Sequence, residues 1–501
     1  MRKNIKKIIC CVLVCIVSFV GFVGCSGAYE LKKQAKKLNN YHIQVDFDTT
    51  DMTANCNLKF DYKNTNSTII DNLVFHLYPR AFRKGASVLP YSKVSKARCF
   101  PNGESYGDIT INQVKENGAS AKYSLVGCDE DKLQVDLNKH LDIDDTTSIE
   151  IFFDLALPNC THRFGYYDNN INLANFYPIL AVRQNGEWDM TPYYSSGDPF
   201  YSVCSNYYVD IKVDNNYICY ATGDEINKTT QNDKNVYSYQ ALAVRDFAMV
   251  LGDNFEEKKI QTDKLSVTYV GYKGDSDLEE LSQLSSKAMT YFSKTFEKYP
   301  YSNIKIIKTP FLHGGMEYPG LVMIADTIKE TEEKHKVIVH EIAHQWWYGL
   351  VGVNESTSAW IDEGLAEYST ALFFGNHAEY NITYNQMIND AITSYTLYVD
   401  VINSINGKIH TKMNLPVNEY INEYEYTYMV YVKGIILFDE LSQIVSQQKL
   451  IKALSKISSS YKYKNISQDE FTEEIKRVTG KNTDGFINSF LEGNAVIGKL
   501  H

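Results

Sequence analysis

The chain has 501 residues, 44% hydrophobic and 22% charged, with a formal net charge of -11. That length and balance describe a globular protein of two to four domains with ample core, and exclude a disordered or fibrous chain. The acidic surplus argues against nucleic acid as a partner and suits cationic ligands such as free amino termini.

Residues 1–25 read as an export signal. Arg2, Lys3, Lys6 and Lys7 form a positive start, and Ile8 to Val23 is an apolar stretch short for a membrane span. Small residues before Cys25, in Val23-Gly24-Cys25, resemble a bacterial lipobox, although Phe22 stands where Leu is usual. The resemblance implies an acylated Cys25 as the mature N-terminus, anchoring the chain at the extracytoplasmic membrane face, with plain cleavage or an uncleaved anchor as the alternatives. Six cysteines follow: Cys56, Cys99, Cys128, Cys160, Cys204 and Cys219. Fifteen disulfide pairings are open to them, and the absence of a C-x-x-C pair argues against metal binding.

Residues 26–255 are expected to form a β domain. Tyr41-His42-Ile43-Gln44-Val45-Asp46-Phe47 alternates apolar and polar, as does Cys56-Asn57-Leu58-Lys59-Phe60-Asp61-Tyr62. Asn102-Gly103, Asn185-Gly186 and Asp214-Asn215-Asn216 mark turns, and no helix of useful length intervenes. Gly197-Asp198-Pro199-Phe200-Tyr201 reads as a polar and aromatic loop.

Residues 256–501 are expected to be mixed and mostly helical. Asp277 to Tyr299 has apolar residues near 3.6 spacing, with Asp277 as N-cap. Two apolar β-like runs, Ile304–Ile307 and Leu321–Ile324, flank His313-Gly314-Gly315-Met316-Glu317-Tyr318-Pro319-Gly320. A helix from about 332 to 348 carries His340-Glu341-Ile342-Ala343-His344. Histidines four apart share one helix face and grip one zinc ion, with the intervening Glu341 as general base. Eighteen residues separate His344 from Glu363, room for a turn and a second, crossing helix over about 358–374. Glu363 is then the third ligand of a His2Glu site with an open fourth position. Glu367, one turn on, is placed to accept from a zinc-bound imidazole. Trp346 and Trp347 are expected in the core, and His313 and His335 outside the chemistry. After residue 380 the chain is helical again. Ser467-Gln468-Asp469-Glu470 is a capping box whose helix closes at Gly480.

Three ordered motifs, Gly314-Gly315-Met316-Glu317, the H-E-x-x-H run and Trp360-Ile361-Asp362-Glu363-Gly364, together resemble the aminopeptidase N-like gluzincin family of zinc metallopeptidases. The resemblance implies an α+β protein: a saddle-shaped N-terminal β domain, then a thermolysin-like catalytic domain with one zinc per chain. It implies cleavage of N-terminal residues from peptides with a free N-terminus. Gly314, Gly315, Met316 and Glu317 are implied to bind the substrate, Glu317 through its amine. Tyr318 departs from the family, which has Asn there. The family's Tyr-x-Lys-Gly motif matches Tyr431-Val432-Lys433-Gly434, which implies that Tyr431 stabilises the oxyanion. The region around Gly197–Tyr201 is implied to lend a residue to the amine, without the sequence naming one. Since the chain stops at His501, the later domains of long members are expected to be missing and the site more open. A thermolysin-like endopeptidase does not need Glu317, and a non-catalytic binding lipoprotein has no use for Glu341.

Overall fold

The computed structural model describes residues 29–262, 264–407 and 409–497. The leader and Cys25 lie outside the described residues. No helix among those described is long and apolar enough to cross a membrane.

The alternating runs become β1 (Asn40–Asp48) and β2 (Thr53–Lys63), paired antiparallel. Their inward residues face one another in register: Tyr41 with Phe60, Ile43 with Leu58, Val45 with Cys56. All six are buried. A one-residue slip would turn this whole apolar set to solvent, so the pattern itself fixes the pairing. β3 (Asp108–Glu116), β4 (Thr146–Ala156), β5 (Ser205–Asp214), β6 (Asp224–Gln231) and β7 (Lys234–Val244) extend the sheet in the order β6-β7-β5-β1-β2-β4-β3, closed by a two-residue strand at Ala119–Ser120. The β1–β5 pair is parallel, and there the rings of Tyr41 and Tyr207 stack at 4.8 Å. Two four-stranded sheets and a two-stranded one (Arg183–Gln184 with Glu187–Trp188) complete this β-rich part, and all six cysteines are free thiols, with Cys128 alone exposed.

A five-stranded sheet follows: β8 (Phe255–Thr262), β9 (Leu265–Tyr272), β10 (Asn303–Thr309), β11 (Gly315–Met316) and β12 (Leu321–Ala325), in the order β8-β9-β10-β12-β11. β9, β10 and β12 run parallel. α1 (Leu278–Thr295) makes the crossover from β9 to β10. It buries Leu281, Leu284, Ala288 and Phe292. Asp277 does occupy the N-cap position, but its backbone is not in the β region and its side chain makes no capping bond. It accepts from Lys334 instead. The short β11 is the sheet's edge strand, paired only to β12.

α2 (Thr331–Ala343) packs beside that edge and is shorter than expected. It stops at His344 because the chain turns sharply at Tyr348, whose φ of 146° is strained for a residue with a side chain. Arg245 holds the turn, donating to the carbonyl of Tyr348 at 2.9 Å. α3 (Glu355–Gly375) crosses α2, starting three residues before the expected point and kinked at Ser358. α4 (Tyr384–Asn406), α5 (Lys433–Val445), α6 (Gln447–Ser460), α7 (Gln468–Thr479) and α8 (Asp484–Leu491) complete the helical part. The Ser467/Glu470 capping box forms as read, and Gly480 ends α7 with φ 72°. This architecture, β-rich first and helical last, is α+β.

α3 and α5 touch through glycine. A Cβ on Gly434 would stand 2.7 Å from the Cα of Gly364, and one on Gly364 would stand 3.1 Å from the Cα of Gly434. Backbone cannot yield there as a side-chain tip can. Gly434→Ala is therefore expected to destabilise the fold by about 1–3 kcal/mol, the usual penalty of overpacking. Chemical denaturation reads this directly, and an unchanged midpoint would show that the helices separate without penalty.

Candidate active site

The helix spacing puts His340 and His344 on one face, and the α3 crossing brings Glu363 to them. The two Nε2 atoms are 3.0 Å apart, and Glu363 Oε2 lies 3.3 Å from His340 Nε2 and 3.2 Å from that of His344. A tetrahedral zinc with bonds of about 2.0–2.1 Å sets its ligands roughly 3.3 Å apart, so the three donors match one face of that tetrahedron. The far side of each ring is also fixed. His344 Nδ1 is 2.6 Å from Asp362 Oδ1 and 3.0 Å from the carbonyl of Trp347, while His340 Nδ1 is 3.1 Å from Glu367 Oε1. Such acceptors leave Nδ1 as the donor and aim the Nε2 lone pair at the shared point. Glu367 thus stands where the sequence put it, and Asp362 is an acceptor the sequence reading missed.

Electrostatics point the same way. Burial opposes charge on the imidazoles, yet Glu367 and Glu363 raise His340 to about 10, and Asp362 and Glu363 push His344 well up. Burial would raise Glu363, but His344 and His340 hold it at about 2. A cluster that draws protons onto two buried imidazoles is one that favours a cation, and its N, N, O donor set is that of catalytic zinc.

Glu341 points at the same space. Burial raises it to about 7 against the pull of His340 and His344, and its Oε2 is buried without a partner. Gly315 makes room for it: a Cβ there would stand 2.5 Å from Glu341 Cγ. Gly314 has only ordinary contacts, with Val337, and Met316 is buried with its sulfur against Arg163.

Glu317 is 3% exposed, with Oε1 unpartnered. Burial raises it well above the ordinary carboxylate range, and Asp198 and Glu341 add to this against the pull of His344. Its backbone is stapled to the zinc-helix end by Gln345. That side chain donates to the carbonyls of Glu317 and Tyr318 at 3.3 and 3.2 Å, and accepts from the Gly320 N–H at 2.8 Å. Tyr318 is buried and donates to Asn175 Oδ1 at 2.7 Å, so its ring turns away from Glu317's carboxylate to bind the β-rich part. Asp198 and Glu355 bring their oxygens within 4.8 Å of Glu317's. Asp198 is held by Arg163 at 2.7 Å. The sequence marks Asp198 only as part of a loop, through its Gly-Asp-Pro setting, and carries no signal for Glu355.

Tyr431 lies beside the metal cluster. Its hydroxyl donates to Glu363 Oε1 and its ring stacks on His340 at 5.9 Å. Burial and Glu363 keep the phenol protonated. Tyr428 faces away and stacks on Tyr398 at 4.1 Å. The Lys-Gly that follows Tyr431 also has a purpose. Lys433 is buried and donates to the carbonyls of Thr411 and Phe490, while Gly434 is the contact with α3. Trp346 and Trp347 are core residues bonded to the carbonyl of Glu297 and to Ser369. His335 pairs with Glu280 at 2.9 Å. Asp198, Glu317, Glu341, Tyr431 and the three metal-facing side chains His340, His344 and Glu363 border one cleft of about 560 Å³.

Comparison with known proteins agrees with this geometry. Residues 281–490 match the Peptidase family M1 domain. Endoplasmic reticulum aminopeptidase 2 of Bos taurus is 24% identical over 274 residues, 52% of this chain and 26% of its own length. Mitochondrial aminopeptidase 2 of Saccharomyces cerevisiae is 23% identical over 219 residues, 41% of this chain and 22% of its own. The chain thus spans about a quarter of the length of these relatives. An M1 zinc metallopeptidase from Deinococcus radiodurans has the same fold, with a TM-score of 0.64 at 13% identity, over 92% of this chain and 94% of that one. Residues 281–490 are thus similar to the Peptidase family M1 domain, and the chain as a whole has the fold of an M1 zinc metallopeptidase.

Proposed function

We propose that the protein is a zinc-dependent aminopeptidase that removes N-terminal residues from peptides. The observation that carries this reading is Glu317, a buried carboxylate with an unpartnered oxygen at the end of the cleft, beside His344. A peptide α-amine is cationic over much of the neutral range, since it ordinarily titrates at about 7.7–8.0. Glu317, with Asp198 close by, offers it charge-assisted hydrogen bonds. Fixing the amine there measures off one residue for release.

His340, His344 and Glu363 would hold the zinc, which when bound supplies a Lewis acid and an acidified water. Glu341 takes the proton from the attacking water and passes it to the leaving amine, and its raised proton affinity suits both steps. Tyr431, kept protonated, donates to the carbonyl oxygen as negative charge builds there. Gly315 leaves Glu341 its space and lets the peptide backbone lie along the β11 edge. The resemblance of Val23-Gly24-Cys25 to a lipobox supports export and lipid anchoring through Cys25. Mass spectrometry of the mature N-terminus should show an acylated Cys25, and an unmodified N-terminus elsewhere would contradict the anchor.

The test is hydrolysis of a free-amine peptide against its N-acetylated form. The wild type should barely cut the acetylated form, and Glu317→Ala should lose roughly 10–100-fold in kcat/KM on the free amine, the worth of one charge-assisted bond. Equal cleavage of both forms by the wild type would make this an endopeptidase. In the same assay Tyr431→Phe should lower kcat by ~10²–10³ with little change in KM. Glu341→Gln should abolish turnover while keeping zinc.

A further inference from the structure

The cleft is lined by side chains of both charges. Glu317 and Asp198 line it and group with Glu355 behind them. The segment leading away from Glu317 gives the direction. Gly315 abuts Glu341, Gly314 abuts Val337 one turn before the histidines, and His313 follows. Three cationic side chains line the cleft: Arg163 is bonded to Asp198, while Lys336 neighbours Val337 beside Gly314 and Arg98 acts on His313. They come from different parts of the chain. Lys336 lies on α2, one turn before His340, and is 2.6 Å from Glu332 on its outer side. Arg98 sits on the single helical turn Lys96–Cys99 of the β-rich part. Its backbone is fixed, because its carbonyl accepts from the Thr161 hydroxyl at 2.8 Å and the next carbonyl, of buried Cys99, accepts from the Thr161 N–H at 2.9 Å. Its guanidinium is exposed and has no carboxylate partner among the described residues. Arg98 is also near enough to His313 to join burial and Arg163 in pushing that imidazole down to about 3.

We propose that Arg98, assisted by Lys336, receives the C-terminal carboxylate of short peptides, so that the cleft selects zwitterionic oligopeptides of about three or four residues over longer chains. The length follows from the chain itself. From Glu317 back to His313 is four residues, at most about 13 Å of extended backbone. A tripeptide spans roughly 10 Å from its amine to its carboxylate. Acid at the amine end and base at the carboxylate end complement both charges of such a substrate in one orientation, and a reversed peptide meets like charge at both ends. Of the other acids bordering the cleft, Glu367 is engaged by His340 and Glu423 stands on the Glu423–Thr427 turn. This inference rests on the aminopeptidase reading and adds a substrate class to it.

The test compares a tripeptide bearing a free C-terminal carboxylate with the same tripeptide as its C-terminal amide. In the wild type at low ionic strength, kcat/KM for the acid should exceed that for the amide by about fivefold, the scale of one exposed ion pair, and the gap should close as salt is added. Arg98→Ala should bring the ratio near one through KM, Arg98→Glu should invert it, and Arg98→Lys should keep part of it. Each ratio is internal to one variant, so a partly misfolded preparation does not distort it. A wild-type ratio of one, or a ratio that survives Arg98→Glu, overturns the inference while hydrolysis of the amide upholds aminopeptidase action. No hydrolysis of either peptide by zinc-loaded protein overturns both.

Discussion

Two imidazole nitrogens held 3.0 Å apart, each ring backed by its own carboxylate, are the constraint on which the rest of the site depends. Both present lone pairs to the point that Glu363 also addresses. Around them the fold buries Glu317, Glu341, Glu355 and Asp362. Burying so many acids is expensive unless a cation or protons answer them. On the proposed reading, a divalent ion on the N, N, O face and an ammonium beside Glu317 would answer that demand in two adjoining places of one buried pocket.

The geometry is enforced from three directions. Gln345, the residue after the second histidine, ties the Glu317 turn to the end of α2 through both ends of its side-chain amide. Arg245 reaches from the β-rich part to the carbonyls of Tyr348, Ser202 and Lys464, and Gly352 leaves the space its guanidinium fills. That clamp stabilises the strained Tyr348 and so ends α2 at the histidines. The Gly364–Gly434 contact seats α5 against α3, which sets Tyr431 at Glu363. A residue far from the chemistry therefore decides where each reacting group stands, and shifts of an ångström at such supports are costly.

Much of this was legible in the sequence because it is local. The H-E-x-x-H spacing is a property of one helix, and the gap to Glu363 is a property of one helical hairpin. The alternation in Tyr41–Phe47 and Cys56–Tyr62 specified a register that the strands adopt. What escaped was long-range or depended on backbone strain. Asp198 reaches Glu317 from a loop of the β-rich part; the resemblance pointed to that region, but no local pattern singled out the residue. Glu355 precedes the expected start of α3, and the structure starts the helix there, before the kink at Ser358, with Glu355 buried. The early end of α2 came from Arg245 and Tyr348, which carry no helix-stop signal. Asp277 had the right identity for a cap, but Lys334 competes for its carboxylate. Lys433 and Gly434 were visible only as companions of Tyr431; their burial and the helix contact explain why the three belong together.

Every role in the site depends on where the metal sits. Crystals of the zinc-loaded protein, measured on both sides of the zinc absorption edge, locate the ion without reference to activity. One anomalous peak per chain is predicted, bonded to Nε2 of His340, Nε2 of His344 and Glu363, at about 2.0–2.2 Å from each. A peak among Asp198, Glu317 and Glu355 instead, with the histidine pair left free of metal, would contradict it.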